Sequence, residues 1–257
     1  MKKVIAFAGK GGVGKTTSLA LFLKFLTEKD SADILVIDSD PDANIGDVIG
    51  RKVDFSETLA SKMQELKRKI TNNEIPLDVP KNQIIEGDVF SSLIEMDAFD
   101  ILEMGRQEGE GCYCFINNVL KNVVDTLSQN YKFTLIDSPA GLEHFSRKTG
   151  RDVTDLIIVT DPSKMGFQTM KRIIELIDEV SLKFENIWVV GNRFPDTLKE
   201  VLKKEVEKIK MKDVKLLGFF PDDNEILEYN FNGKSLLELP DSNPSYQIAK
   251  EMFNKII

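Results

Sequence analysis

The stretch "AFAGKGGVGKTTSLALFLKFL", residues 6–26, decides the fold of this chain. Its residues 9–16 match the phosphate-loop pattern G-x-x-x-x-G-K-[ST], between an apolar run at 2–8 and a helical pattern at 15–29. Glycines keep side chains away from the loop, so backbone N–H groups can approach phosphate oxygens. The stretch therefore predicts a strand, a phosphate-binding turn and a helix.

Two side chains of the loop have specific expected contacts. Lys15 is expected to reach the β and γ phosphates, and the hydroxyl of Thr16 is expected to hold Mg²⁺. The predicted binding residues of the loop are Gly11, Gly12, Val13, Gly14, Lys15, Thr16 and Thr17. A nucleoside triphosphate with Mg²⁺ is thus the expected ligand.

Apolar runs alternate with helical patterns along the whole chain. Strands are predicted at 2–8, 32–38, 99–105, 132–137, 155–160, 186–192 and 214–220, and helices at 15–29, 56–70, 115–128, 164–183, 196–210 and 244–256. This alternation predicts an α/β fold of the P-loop NTPase type, with a mostly parallel seven-stranded sheet flanked by helices on both faces. No linker or low-complexity tract interrupts it, so we expect one domain over 1–257.

The composition restricts the possible partners. A formal charge of -8 and a pI near 5.0 argue against general nucleic-acid binding, which requires a surplus of Lys and Arg. No run of 18 apolar residues occurs, and the apolar start is too short for a signal peptide. We therefore expect a cytoplasmic protein that acts on neither nucleic acid nor membrane.

Acidic residues come at the ends of two predicted strands. Asp38 and Asp40 occur in "VIDSDPDAN", and Asp137 ends the strand at 132–137. Ligands of open α/β sheets bind at the carboxyl ends of the strands, so these residues are expected near the phosphates. A helix cap is the alternative for any one of them.

The phosphate loop carries a second lysine, Lys10, in "GKGGVGKTT" at 9–17. In this feature the chain resembles the MinD, ParA and nitrogenase iron protein group of dimeric ATPases. The resemblance implies ATP or ADP as the nucleotide, and a homodimer in which Lys10 contacts nucleotide bound by the opposite subunit. Such a cation would neutralise charge on the transferring phosphoryl group. The alternative is an ordinary surface lysine.

The same resemblance assigns roles to the acidic residues. Asp40 matches the carboxylate that orients the attacking water, and Asp38 lies nearer the metal. Asp137 matches the carboxylate that holds Mg²⁺ through water. The implied catalytic residues are Lys10, Lys15 and Asp40.

The base of the nucleotide is assigned to two later strand ends. Asn192 in "VVGNRF" matches an asparagine that hydrogen-bonds adenine, and Pro221 and Asp222 in "GFFPDDNEI" match the loop on the other side of the base. Each of these residues is also common in turns, which is the alternative interpretation.

Both cysteines of the chain, Cys112 and Cys114, lie in "EGEGCYCFINN" at 108–118. In an extended segment the two thiols project from the same side, whereas on a helix they would point about 200° apart. Two thiolates do not complete a metal site, but the twofold axis of a dimer would bring four together. Two core cysteines and a redox pair remain alternatives.

The combination of "GKGGVGKTT", "DSDPDAN", "GEGCYC" and "GLEHF" resembles the CooC-type nickel-insertion ATPases. This resemblance implies that Cys112 and Cys114 of both subunits bind one Ni²⁺ or Zn²⁺, and that the partner is a nickel enzyme such as carbon monoxide dehydrogenase or acetyl-CoA synthase. Two alternatives stay open: a ParA/MinD-like positioning ATPase on DNA or membrane, and an electron donor with a bridging iron–sulfur cluster. A positioning ATPase would need a basic face or a membrane helix, and the apolar positions of the tail at 244–257 are interpreted as core packing.

Overall fold

A computed structural model describes residues 2–29, 33–40, 44–72, 74, 87–106, 126–139, 153–209 and 214–257. In these ranges the strands are β1 Lys3–Ala8, β2 Ile34–Asp38, β3 Ile94–Glu95, β4 Asp100–Glu103, β5 Phe133–Asp137, β6 Asp155–Thr160, β7 Asn186–Asn192 and β8 Val214–Phe220. They form one sheet in the order β3-β4-β2-β5-β1-β6-β7-β8, parallel except for the β3–β4 pair. The predicted α/β class and mostly parallel sheet are confirmed.

The described sheet has eight strands, one more than the seven predicted. The additional strand, β3, pairs antiparallel with β4 at the edge, where Ile94 lies opposite Ile101. It has two residues, of which one is buried. A segment this short contains no hydrophobic period, so the sequence pattern could not indicate it.

Helices connect the parallel strands. They are α1 Lys15–Glu28, α2 Ile45–Val48, α3 Leu59–Thr71, α4 Lys164–Glu179, α5 Asp196–Glu207, α6 Asn224–Phe231 and α7 Pro244–Phe253. The prediction at 164–183 ran too long, because Ser181 adopts a left-handed φ of 55° just after α4 ends. The sequence patterns missed α2 and α6, and the predicted helix at 115–128 lies almost wholly outside the described residues.

Side chains of the sheet alternate between two cores. From β1, Val4 and Ala6 face the core that contains α3, α4 and α5, whereas Ile5 and Phe7 face the core that contains α1 and α7. In the second core the rings of Phe22 and Phe253 stack with centroids 4.3 Å apart. Burial on both faces explains why the strands read as continuous apolar runs.

The last helix packs into this second core. Met252, Phe253 and Ile256 are each less than 5% exposed, and Ile248 is half-buried. The interpretation of the tail as a core-packing helix is therefore confirmed. Among the helices that the structure describes, none is long and apolar enough to cross a membrane.

The order of the strands decides where the loops meet. β1 lies between β5 and β6, so the segments that follow β1, β2 and β5 leave neighbouring strands at the same carboxyl edge. Chain connections run in opposite directions on the two sides of β1, and ligands of open α/β sheets bind at such a point. The phosphate loop between β1 and α1 lies there.

Candidate functional site

The backbone of the phosphate loop requires glycine at both of its ends. Gly9 has φ 149°, and a side chain at this position would collide with the carbonyl of Val159 on β6. Gly14 has φ 96° and caps α1 in a left-handed conformation. Residues with a Cβ atom rarely adopt such angles, so these glycines fix the shape of the loop.

Lys15 lies inside the loop rather than in solvent. The residue is 7% exposed, and its Nζ atom lies 3.5 Å from the carbonyl oxygen of Lys10. Burial raises the pKa of Asp137, and the positive charge of Lys15 offsets part of this rise, so both groups belong to one site. Lys10 is half-buried at the start of the same turn.

Thr16 and Asp137 are in direct contact. The Thr16 hydroxyl donates a 2.5 Å hydrogen bond to Oδ2 of Asp137, while Oδ1 of Asp137 is buried and has no hydrogen-bond partner among the described residues. Burial raises the pKa of Asp137 to about 6. A buried carboxylate oxygen without a partner fits a hydrated cation, and Mg²⁺ prefers a hydroxyl, a carboxylate and water as ligands.

Asp38 binds backbone on both sides of residues 41–43. Its Oδ1 accepts the N–H of Asp40 and its Oδ2 accepts the N–H of Ile45, each at 2.9 Å. Burial, and then the charge of Asp137, raises the pKa of Asp38 well above its usual range. Asp38 therefore positions the segment that carries Asp40, and the charge of Asp40 in turn raises the pKa of Asp137.

Glu103 is a buried acid that the sequence patterns did not single out. It lies opposite Asp38 at the end of β4, and its Oε1 accepts the N–H of Gly46 at 3.0 Å. Burial raises its pKa to about 7. With Asp38 it fixes the start of α2, and an acidic residue inside the run "FDILEMG", between Leu102 and Met104, was the available signal.

A pocket lies on the other side of the loop, where a base is expected. Asn192 and Arg193 at the end of β7 line it together with Pro221 and Asp222, so the structure brings the predicted base residues together. The remaining lining residues are Gly12, Gly14, Thr17, Ser18, Leu21, Phe220, Asp223, Ile226, Leu227, Asn230 and Ser245.

Asp223, which was not predicted, holds this pocket in shape. Its carboxylate accepts backbone N–H groups of Glu225 and Ile226 and so caps α6, and its other oxygen accepts from Asn243 and Ser245 before α7 and at its start. The sequence signal was an acid directly before a helix, which is the typical N-cap.

The predicted metal ligands Cys112 and Cys114 lie outside the described ranges. Within the described ranges, no three His, Cys, Asp and Glu side chains come together in a way that could hold a metal ion.

The fold and the phosphate loop define this chain as a P-loop ATPase. Residues 1–188 match the model described as "AAA domain", and the chain belongs to that family.

Two relatives are similar to this chain in sequence, and one solved structure is similar to it in fold. An uncharacterized ATP-binding protein of Methanocaldococcus jannaschii is 39% identical over 99% of this chain and 98% of its own length. The carbon monoxide dehydrogenase accessory protein CooC of Rhodospirillum rubrum is 31% identical over 70% of each chain. The septum site-determining protein MinD of Pyrococcus horikoshii, solved with Mg-ADP, shares the fold at a TM-score of 0.68 and 20% identity, covering 100% of this chain and 96% of its own.

Proposed function

We propose that the chain, as one domain over 1–257, is a Mg²⁺-dependent ATPase that works as a homodimer and handles nickel or zinc during maturation of a nickel enzyme. The contact between Thr16 and Asp137 carries the nucleotide part of this proposal. It joins the loop after β1 to the end of β5, and the other oxygen of the Asp137 carboxylate is buried without a hydrogen-bond partner in the described part of the chain. The Mg-ADP bound to the MinD relative supports the same ligand here.

Thr16, Asp137 and Lys15 have separate proposed roles in binding Mg²⁺ and the phosphates of ATP. The Thr16 hydroxyl would bind Mg²⁺ directly and Asp137 would bind it through water, and the bound ion would neutralise charge on the β and γ phosphates. Lys15, already held beneath the loop, would contact the same phosphates.

Bond breaking needs a water molecule in line with the leaving group. Asp40 would orient that water, whose oxygen forms a bond to the γ phosphorus as the bond to the bridging oxygen of ADP breaks; ADP leaves, and the protons of the water remain on the inorganic phosphate. Asp38 and Glu103 act indirectly, because they hold the backbone on either side of the Asp40 segment. Lys10 would stabilise the γ phosphate of the partner subunit, so that full activity requires a dimer.

The metal part of the proposal rests on the two cysteines and on the relative of known role. Cys112 and Cys114 are separated by one residue, and the two subunits of a dimer would together supply the four thiolates that Ni²⁺ or Zn²⁺ accepts. CooC of Rhodospirillum rubrum, an accessory protein of carbon monoxide dehydrogenase, supports a nickel enzyme as the client. Carbon monoxide dehydrogenase and acetyl-CoA synthase are the proposed clients.

Nucleotide and metal are expected to act on each other through the dimer. If ATP closes the interface at which the thiolates meet, it changes metal affinity, and metal must change nucleotide affinity by the same factor. The test compares nickel affinity in the apo, ADP-bound and ATP-bound forms of Asp40→Asn, in which we expect hydrolysis to be slow because Asp40 is proposed to orient the water. Equal affinities in the three forms would contradict the coupling.

Positioning on DNA or membrane is the competing function, because MinD has the same fold. The last helix does not favour it, since its apolar side chains are buried against α1 and β8 rather than presented to a bilayer. Binding of the Mg-ATP form to anionic vesicles or to duplex DNA would favour this second function.

A further inference from the structure

Two neighbouring side chains at the end of β7 bind two neighbouring carbonyls of the phosphate loop. Nη2 of Arg193 donates to the carbonyl oxygen of Gly12 at 2.7 Å, and Nδ2 of Asn192 donates to the carbonyl oxygen of Val13 at 2.8 Å. The paired residues are about 180 positions apart in sequence, so these contacts depend on the assembled sheet.

These contacts orient the peptide groups of the loop. A trans peptide group is planar, and its C=O and N–H bonds point in opposite directions. Holding the Gly12 carbonyl therefore orients the N–H of Val13, which closes the turn onto the Lys10 carbonyl at 3.4 Å. Holding the Val13 carbonyl in the same way turns the N–H of Gly14 away from Asn192.

Arg193 is itself held in an unusual conformation. Its φ of 57° is in the left-handed region, which is uncommon for a residue other than glycine, and its N–H donates to the Phe220 carbonyl at 3.0 Å. Pro221 and Asp222 come directly after Phe220 in the sequence and line the base pocket. Sparsely populated backbone conformations persist where the surrounding structure imposes them, and they are frequent at binding sites.

We infer that Arg193 is a positioning residue: its guanidinium group, anchored on the base side of the site, holds the phosphate loop in the conformation that binds the phosphates. This inference rests on the proposed nucleotide site and adds a residue to it. Asn192 shares the task, but it is also expected to contact adenine, so Arg193 gives the cleaner test.

The central variant is Arg193→Asn. Asparagine tolerates the left-handed backbone but is too short to reach Gly12, so the variant removes the contact without adding backbone strain. Arg193→Lys is the conservative control, because it keeps a long side chain with a cationic donor. Thermal unfolding of both variants identifies any general loss of folding.

Affinities for Mg-ATP and for inorganic tripolyphosphate separate the possible roles. We expect Arg193→Asn to weaken both by a similar factor of about ten, and Arg193→Lys to restore part of each, because one hydrogen bond from a charged donor is lost. The ratio of kcat/KM for ATP and GTP should stay unchanged, because the inferred contact of Arg193 is with the Gly12 carbonyl of the loop and not with the base.

Three results would overturn the inference: unchanged affinity for both ligands, a loss for ATP with unchanged tripolyphosphate binding, or a changed ATP to GTP ratio. The last two would make Arg193 a base contact instead. Lys15→Ala measured in parallel tests the site itself. If Lys15→Ala still binds both ligands normally, the proposed nucleotide site is wrong, whatever Arg193 does.

Discussion

Thr16 and Asp137 are 121 positions apart in sequence, and the Thr16 hydroxyl donates a 2.5 Å hydrogen bond to the Asp137 carboxylate. The pairing of β1 with β5 brings them together, because Phe7 lies opposite Asp137 in register. The same carboxylate has a second oxygen that is buried without a partner among the described residues. The Thr16 hydroxyl and the Asp137 carboxylate are therefore the groups of the site that fit a hydrated cation.

The first prediction concerns this pair. Thr16→Val keeps the shape of the side chain and removes the hydroxyl, so Mg²⁺ should no longer strengthen ADP binding. The affinity for ADP in the presence of Mg²⁺ should therefore fall by about tenfold or more. Thr16→Ser keeps the hydroxyl and should retain most of the Mg²⁺ effect. Calorimetric titration with ADP, with and without Mg²⁺, measures the effect of Mg²⁺ on ADP affinity. An undiminished effect in Thr16→Val would contradict the assignment of Thr16 as a Mg²⁺ ligand.

Alanine substitutions at the two lysines of the loop should affect different steps, nucleotide binding at Lys15 and dimer formation with hydrolysis at Lys10. Lys15→Ala removes a buried cation beside the phosphates and should weaken ATP binding by more than about a hundredfold. Lys10→Ala should leave ATP binding of the single subunit nearly intact and should abolish dimer formation with ATP and steady-state hydrolysis. Nucleotide affinity and native mass are measured for each variant. Full hydrolysis by Lys10→Ala would remove the argument for a partner lysine.

Glu103 should make stability depend on pH. Its pKa rises from the ordinary 4.5 to about 7 on folding because the carboxyl group is buried. Protonated Glu103 favours the folded state, so its contribution is lost as pH rises from 4.5 to about 7. The free energy of unfolding of the natural chain, minus that of Glu103→Gln, should fall by at most about 3 kcal/mol across this window.

Urea unfolding at about pH 4, below the window, and at about pH 8, above it, measures this difference. The same substitution at the exposed Glu228 is the matched control and should give a much smaller pH dependence. A difference for Glu103→Gln that stays flat, or rises with pH, would show that burial does not dominate the titration of this residue.

Asp155 should matter for stability and not for nucleotide binding. It is fully buried at the start of β6, and it accepts from Lys3 at 3.0 Å, Asn186 at 3.1 Å and Trp188 at 2.9 Å. Asp155→Ala leaves these donors unpaired and should cost about 3–5 kcal/mol of folding free energy. Asp155→Asn, which keeps an acceptor, should cost less.

Fluorescence of Trp188, the only tryptophan in the chain, follows this unfolding directly. The nucleotide affinity of the folded fraction should be unchanged, because Asp155 lies at the amino end of its strand and the phosphate loop lies at the carboxyl edge. A large loss of ATP affinity in folded Asp155→Asn would contradict this separation of stability from binding.

Local patterns predicted much of this molecule. The strands β1, β2, β5, β6 and β7 are almost fully buried and have continuous apolar sequences, and the glycines of the phosphate loop mark positions where the backbone excludes a side chain. The short edge strand β3 and the helix α6, which carries no buried residue, left no hydrophobic period to detect.

The missed site residues share one cause. Arg193 donates a hydrogen bond to Gly12, which is 181 positions away in sequence, and Glu103 accepts one from Gly46, which is 57 positions away. No local sequence pattern encodes contacts over such separations. Asp223 was one position from the predicted Asp222, but only the packed structure makes it the residue that joins α6 to α7.

The central claim is that this ATPase carries metal on thiolates shared by two subunits. The direct measurement is metal per chain by elemental analysis, with native mass, on anaerobic protein given Ni²⁺ with and without Mg-nucleotide. The Cys112→Ser, Cys114→Ser double variant is the control, and it should still bind ATP. The account predicts one nickel per dimer, lost in the control. Absence of cysteine-dependent nickel in every nucleotide state, or an iron–sulfur absorption band near 400 nm in its place, would contradict it.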